Sequence, residues 1–345
     1  MKNMNNCALE IKGLSVDFKS EKGEVHAARS VNVDVPYGKT VGIVGESGCG
    51  KSVTVKSILR LHEEKTTVYR GEIIFHDRDG KDYDILKLPE KEMDTIRGNK
   101  ISIIFQDPMT SLNPVIKVGT QVTEVIMHYQ KLPKKEAVQK TLELFSAVGI
   151  RAPELRYNQF PHEFSGGMQQ RIMIAIALAC NPVILLADEP TTALDVTIQA
   201  QILHKMKEIQ ANTGMSIVFI THDLGVVAHM CEEIAVMYAG QVVEYADTES
   251  LFANPKHPYT QGLLSTIPRI GEKKGKLNTI EGMPPKLDHV IEGCPFAERC
   301  RKKLPCCETT APSKYVDEKD NMVRCHLYAP EGAEKQQAVS EQCGK

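Results

Sequence analysis

No apolar run in this 345-residue chain approaches the roughly 18–20 residues that a membrane helix needs; the longest, Ile172 to Cys180, stops at Asn181. The opening stretch MKNMNNCALE lacks the apolar core of a secretory signal. Neither sign of charge prevails, since 42 Lys and Arg face 44 Asp and Glu for a net charge of −2. There is thus no global electrostatic footprint for nucleic acid, though local basic patches remain compatible with that balance. Nor is the composition biased: 42% hydrophobic and 25% charged residues, with 24 Gly and 18 Pro, exclude a collagen-like, low-complexity or wholly disordered chain. No internal repeat is visible. The length suits two domains, or one large domain with an extension. Together these absences predict a cytosolic protein, which could work at a membrane only beside partners that span it.

Cysteine is distributed unevenly. Cys7, Cys49, Cys180 and Cys231 are scattered, whereas Cys294, Cys300, Cys306, Cys307, Cys325 and Cys343 crowd into the last 52 residues. A reducing compartment keeps such thiols free, so the cluster suggests metal ligation before disulfides.

Short apolar runs alternate with helical periodicity along most of the chain. The first 40 residues read as strands, and Thr40–Val44 reads as a buried strand followed by a glycine-rich turn and a helix over Lys51–Leu61. Ile101–Phe105 is a further strand. From Val118 to Gly149 the pattern is helical, broken at Leu132-Pro133, and Met168–Cys180 is a helix that is apolar almost all round. Strand Val183–Ala187, helix Ile198–Ile209, strand Ser216–Ile220 and helix Leu224–Met230 follow, then strands near Ile234–Met237 and Gln241–Tyr245. This alternation predicts an α/β fold with a parallel sheet covered by helices on both faces. The helical block at about 107–180 interrupts it as an inserted subdomain. Beyond residue 268 periodicity fades into an appended module, and 331–345 reads as a polar, frayed tail.

Gly45-Glu46-Ser47-Gly48-Cys49-Gly50-Lys51-Ser52 fits G-x-x-x-x-G-K-[ST] between a buried strand and a helix. Its glycines let the backbone curl so that successive N–H groups cradle phosphate oxygens. Lys51 then reaches the β- and γ-phosphates, Ser52 ligates Mg²⁺, and the helix presents its positive end. A bare glycine turn with a surface lysine would not need this context. Apolar Ile184–Ala187 runs into Asp188 and Glu189, suited to holding Mg²⁺ through water and to polarising an attacking water. Phe164-Ser165-Gly166-Gly167 precedes a helix and offers a second set of exposed backbone amides for phosphate. One chain with one phosphate loop rarely needs two such devices; two chains placed head to tail do.

In this order, over residues 9–250, the motifs resemble the nucleotide-binding subunit of an ATP-binding cassette (ABC) transporter. The resemblance implies a P-loop NTPase cassette with a RecA-like parallel sheet core, an antiparallel β subdomain and the inserted helical subdomain, plus a C-terminal Cys-rich extension. It divides the chain into a nucleotide-binding domain at 1–267, an extension at 268–330 and a tail at 331–345. It makes Gly45, Ser47, Gly48, Cys49, Gly50, Lys51, Ser52 and Asp188 contacts to ATP, with Phe18 as the adenine-stacking aromatic. Gln106 becomes the Q-loop residue that senses Mg²⁺ beside Ser52 and Asp188. Glu189 and His222 become the catalytic pair. Ser165, Gly166, Gly167 and Asp195, the last within Thr192-Ala193-Leu194-Asp195, become contacts to a partner's ATP. Met168 departs from the commonest glutamine there, a substitution frequent in the peptide-transport branch.

Phe105–Pro114, His257–Leu264 and Ile280–Leu287 resemble the oligopeptide/dipeptide importer branch, so branch and family together cover about residues 9–328. The implied assembly contains a second ATPase subunit, expected as a heterodimer, two transmembrane permease subunits and an extracytoplasmic solute-binding protein, with this chain peripheral on the cytoplasmic face. Nickel, glutathione and antimicrobial-peptide importers share much of the pattern. A soluble cassette ATPase acting on ribosomes, DNA or iron–sulfur assembly fits less well, given one P-loop and no heptad run. A P-loop kinase would not need Ser165-Gly166-Gly167.

Cys294-x₅-Cys300-x₆-Cys307-x₁₇-Cys325 matches a four-cysteine pattern of many such importer ATPases and implies a [4Fe–4S] cluster. Thiolates also bind zinc, but no C-x₂-C pair of common zinc sites is present. Zinc and free or disulfide-forming thiols stay open as alternatives; Cys306 could replace Cys307, and His326 is a weaker substitute. Lying far from the phosphate loop in sequence, the module suggests a structural or regulatory role.

Overall fold

The structure, a computed structural model, describes residues 6–20, 23–106, 111–191, 194–266 and 280–329. Asp107–Thr110, Thr192, Ala193, Cys343 and the 331–345 tail named above therefore lie outside the described residues. In chain order the first six strands are β1 (Cys7–Ser20), β2 (Gly23–Pro36), β3 (Thr40–Val44), β4 (Thr67–His76), β5 (Asp82–Asp84) and β6 (Ile101–Ile104). The others are β7 (Ile184–Asp188), β8 (Ser216–Thr221), β9 (Glu233–Tyr238), β10 (Gln241–Asp247), β11 (Tyr315–Val316) and β12 (Met322–Val323). The helices are α1 (Lys51–Ile58), α2 (Glu90–Ile96), α3 (Val118–Gln130), α4 (Lys134–Ala147), α5 (Pro153–Arg156) and α6 (Gly166–Leu178). They continue with α7 (Val196–Thr213), α8 (Leu224–Met230), α9 (Thr248–Ala253) and α10 (Pro258–Ser265).

Two sheets organise the described residues. An antiparallel sheet has the order β2-β1-β4-β5, and a mixed sheet has the order β11-β12-β10-β9-β3-β8-β7-β6. Within the second, β9, β3, β8, β7 and β6 are parallel, as their continuous apolar runs predict for strands buried on both faces. Their side chains alternate between two cores. Val41, Ile43, Ile184, Leu186, Val218 and Ile220 pack toward the antiparallel sheet, whereas Val44, Leu185, Ala187, Ile217 and Phe219 pack toward the helices. Helix α8 comes so close that a Cβ on Gly42 would lie 3.1 Å from its Val227 Cγ1 and 2.9 Å from Sγ of Cys231, which caps it.

Several boundaries differ from the sequence expectation for local reasons. The helix after the phosphate loop stops at Ile58 rather than Leu61, because Arg60 takes a left-handed φ of 49° and turns the chain away. Strands β4 and β5 and helix α2 carried too weak a period to be read. The C-terminal segment shares the cassette's sheet: β12 pairs with β10 through Glu244↔Val323 and Tyr245↔Met322. It is also sewn to β2, where His26 N–H donates to Leu287 O at 2.8 Å and the Arg29 guanidinium to Ile291 O at 3.2–3.3 Å. No helix among the described residues is long and apolar enough to cross a membrane.

Ile43 is fully buried at the centre of the parallel sheet. Ile43→Ala should therefore destabilise the protein by about 2–5 kcal/mol, read as a fall in urea midpoint with an unchanged slope.

Candidate active site

Four adjacent parallel strands, β3, β8, β7 and β6, deliver their carboxyl ends to one edge of the sheet. In an open α/β sheet this is the edge where ligands bind. After β3 the chain turns through Gly45–Gly50 into α1. Gly45 has φ 151°, and a Cβ there would sit 2.2 Å from Met237 O; Gly50 has φ 102°, with Ala27 O at 2.5 Å. Both approaches are to backbone, so neither position accepts a side chain. Gly50 caps α1 without a side-chain bond, which leaves first-turn amides without an intrahelical partner. Lys51 is buried and folds back over the loop, donating from Nζ to Gly45 O at 2.8 Å and to Glu46 O at 2.9 Å.

Ser52 Oγ donates to Asp188 Oδ1 at 2.9 Å, joining the start of α1 to the end of β7. Burial pushes the Asp188 carboxyl above its ordinary range, against the pull of the Ser52 hydroxyl. A hydroxyl and a desolvated carboxylate side by side are hard oxygen donors of the kind Mg²⁺ takes, so these residues fit the ion. Glu189, next in sequence, takes a left-handed φ of 48°, held there by its N–H donating to Ile220 O at 3.0 Å. That conformation costs a side-chain-bearing residue about 1–2 kcal/mol. It accompanies a carboxylate that receives Gln106 Nε2 at 2.9 Å on one oxygen and stands 3.3 Å from His222 Nδ1 with the other. The ends of β6, β7 and β8 thus meet at Glu189.

A second group forms where α6 meets α7. Ser165 caps α6 and makes no side-chain cap bond, so its hydroxyl is not spent on the helix. Ser165 and Gly166 are exposed. A Cβ on Gly167 would lie 2.8 Å from Ile198 Cγ2, and Ile198 N–H in turn donates to Asp195 Oδ1 at 2.9 Å. Ser165, Gly166, Gly167 and Asp195 are thereby neighbours. Phe18 stands on β1, its ring edge-on to His62 at 5.0 Å, and His62 Nε2 lies 3.1 Å from Val53 O in α1. Phe18 thus reaches the phosphate helix through a histidine that sequence reading left unassigned.

Sequence reading also missed the residues that grip the second position of the phosphate loop. Glu46 N–H donates to Tyr259 Oη at 2.9 Å, and its carboxylate takes both terminal nitrogens of Arg299, at 2.7 and 2.9 Å. Tyr259 lies in the His257–Leu264 stretch, which did carry a signal. Nothing in the sequence tied Arg299 to a loop 253 positions earlier.

Cys294 and Cys300 flank the turn that carries Arg299. Cys307 and Cys325 are buried, Cys294 and Cys300 half-buried. Burial pushes the Cys294 thiol up to about 12 and the Cys325 thiol up to about 11, and it raises that of Cys300. Cys294 N–H donates to Cys307 O at 2.8 Å, which brings the segments of these two cysteines together. Overlapping this quartet, the donor atoms of Cys306, Cys307 and His326 lie within 4.8 Å of one another.

A glycine-lined phosphate loop before a helix, with a serine, a carboxylate pair and a histidine at neighbouring strand ends, defines a P-loop nucleotide triphosphatase. The ABC transporter family description matches residues 28–192, and the oligopeptide/dipeptide transporter C-terminal region matches residues 243–307. The chain is 53% identical to the oligopeptide transport ATP-binding protein OppD of Bacillus subtilis over 294 residues, 84% of this chain and 80% of that protein. It is 48% identical to the dipeptide transport ATP-binding protein DppD of the same organism, over 92% of this chain and 94% of the relative. Among solved structures it is similar to the ATP-binding cassette MJ0796 in a dimeric post-hydrolysis state bound to ADP and Pi. There the TM-score is 0.61 and the identity 28%, over 70% of this chain and 98% of that one. The chain belongs to the ABC transporter family of ATP-binding proteins, in the branch that carries the oligopeptide/dipeptide C-terminal region.

The buried Asp188 carboxylate is a cost to the nucleotide-free fold. With its folded pKa above the unfolded one, the penalty is full above the folded value, shrinks as pH falls through it, and vanishes below about pH 3.9. Asp188→Asn keeps an acceptor for Ser52 and should melt at higher temperature than wild type at pH 7, the gap closing toward pH 4. The same variant should lose Mg²⁺-dependent ATP turnover.

Proposed function

We propose that this chain is the ATP-binding and ATP-hydrolysing subunit of an importer that takes up oligopeptides or dipeptides. The observation that carries the reading is the meeting of Gln106, Glu189 and His222 beside the Ser52–Asp188 pair, all at the carboxyl edge of one sheet. ATP is the substrate, with its phosphates on the amides of Gly45–Ser52 and on Lys51, and its adenine toward Phe18. Ser52 and Asp188, with Gln106, would hold Mg²⁺, which supplies charge neutralisation on the β- and γ-phosphates. Glu189 accepts a hydrogen bond from the attacking water and draws its proton as the oxygen bonds to the γ-phosphorus and the bond to ADP breaks. Gln106 and His222 hold the Glu189 carboxylate in place from either side. Ser165, Gly166, Gly167 and Asp195 complete the site of a second ATPase subunit placed head to tail.

On this reading residues 1–267 form the nucleotide domain and 268–330 the branch-specific extension. A partner ATPase, two permease subunits and an external solute-binding protein complete the assembly, and the chain works on the cytoplasmic side of the membrane. The close similarity to oligopeptide and dipeptide transport proteins favours peptides as cargo. Glu189→Gln should retain ATP binding and lower single-turnover hydrolysis about 10²–10⁴-fold, whereas Lys51→Ala should weaken nucleotide binding itself. Hydrolysis near the wild-type rate in Glu189→Gln would remove the carboxylate from this role.

Cys294, Cys300, Cys307 and Cys325 are soft donors, none of them fully exposed, with Cys294 bonded through its backbone to Cys307; this fits an iron–sulfur cluster, and we assign them a [4Fe–4S] group. Such a group would staple a lobe whose described residues form only short strands and turns. Protein purified anaerobically should be brown and contain iron and acid-labile sulfide in equal amounts. Serine at any of the four should bleach it, while Cys306→Ser and Cys343→Ser should not. A colourless protein with one zinc per chain, lost on substituting Cys306, Cys307 or His326, would replace the cluster by the Cys306–Cys307–His326 group.

A further inference from the structure

Arg299 ends a short 3₁₀ turn, Ala297–Arg299, bracketed by Cys294 and Cys300. Ala297 N–H donates to Cys294 O at 2.9 Å, and Cys300 N–H to Ala297 O at 3.3 Å, so the backbones of both cysteines are built into the turn. Beside it, buried Phe296 packs edge-on to Tyr238 at 5.2 Å and against Tyr259 at 5.4 Å. The Arg299 side chain leaves the cysteine lobe past these rings and ends on the phosphate loop.

Every nitrogen of its guanidinium is used there. The two terminal nitrogens take the two Glu46 oxygens and add Tyr238 Oη at 3.2 Å and Ile280 O at 3.2 Å; Nε donates to Glu281 O at 3.0 Å. The arginine side chain is 6% exposed and that of Glu46 26%, so most of this pair is out of water. A fork of this kind fixes orientation as well as distance. Breaking it from one side leaves a desolvated charge, which makes the geometry stiff. Glu46 is also the residue whose carbonyl receives Lys51 Nζ and whose N–H donates to Tyr259. Its N–H and its carboxylate are therefore both anchored, by Tyr259 and Arg299, which lie outside the nucleotide site.

We propose that Arg299 is a positioning residue for the phosphate loop, and that the thiolates of Cys294 and Cys300, as ligands of the group assigned above, fix its turn, so that the state of the cysteine lobe sets nucleotide affinity at Lys51. The proposal rests on reading Gly45–Ser52 as the ATP site. Linkage makes the effect reciprocal: nucleotide at the loop must stabilise the lobe by the same free energy.

The test is equilibrium titration of a fluorescent ATP analogue with Mg²⁺ into the full chain, alongside melting without nucleotide. Arg299→Ala and Glu46→Gln should each weaken affinity by about tenfold, within the usual range of coupling between sites. The double variant should bind no more weakly than the worse single one. Arg299→Lys keeps the charge without the fork and should fall between wild type and Arg299→Ala. Cys300→Ser should weaken binding in the wild-type background and add nothing beside Arg299→Ala. If Arg299→Ala does not fold, Glu46→Gln and Arg299→Lys carry the comparison. Affinities within twofold of wild type in Glu46→Gln and Arg299→Lys, or additive losses in the double variant, overturn the positioning role. Wild-type affinity in Cys300→Ser overturns the part given to the cysteines. Lys51→Ala separates the two readings: binding lost there but intact in the Arg299 and Glu46 variants sinks this proposal alone, whereas binding intact in all three sinks the site as well.

Discussion

Parallel pairing of β3 with β8, β8 with β7 and β7 with β6 is the constraint from which the site follows. Val44 lies opposite Thr221, Asp188 opposite Ile220, and Ile104 opposite Ala187. A parallel register brings like ends together, so the loop after each strand opens on the same edge. The phosphate loop, His222, the Asp188–Glu189 pair and Gln106 are those loops. The interior of each strand is apolar but for Ser102 of β6, whose hydroxyl donates to Gly98 O at 3.3 Å. All the chemistry can then be concentrated where the ladder ends, including the left-handed backbone of Glu189, which the neighbouring strand holds through a single hydrogen bond.

The same edge is gripped from outside the cassette. The C-terminal segment pairs with β10, bonds to β2 and sends Arg299 back to the loop after β3. A lobe with little secondary structure of its own gains order by borrowing the edge of a large sheet. It returns a largely buried ion pair to the glycine-rich loop after β3. Tyr238, Tyr259 and Phe296 form the apolar layer between the two, and a low-polarity surround strengthens the Arg299–Glu46 pair while making its loss costly. The lobe and the loop after β3 meet at this point through one ion pair set in an apolar layer.

The sequence by itself determined the cassette. Apolar runs of parallel strands, the glycine spacing of Gly45–Gly50 and the carboxylates after Ile184–Ala187 are local patterns, because backbone curvature and strand burial depend on adjacent residues. Ser165 and His222 were proposed for the same reason, as each sits in a motif of a few positions, whereas Phe18 was proposed only from the family resemblance. Tertiary structure alone decided which groups touch: Gln106 and His222 on one carboxylate, His62 between Phe18 and α1, and Arg299 on Glu46. Strands β4 and β5 were missed because one face packs and the other does not, over spans with irregular period. The cysteine lobe shows the division most sharply. Its composition suggested soft-metal ligation, but its distance from the phosphate loop in sequence concealed a contact of under 3 Å. Contacts between residues 253 positions apart are fixed by the packing of sheets and turns, and no local period records them.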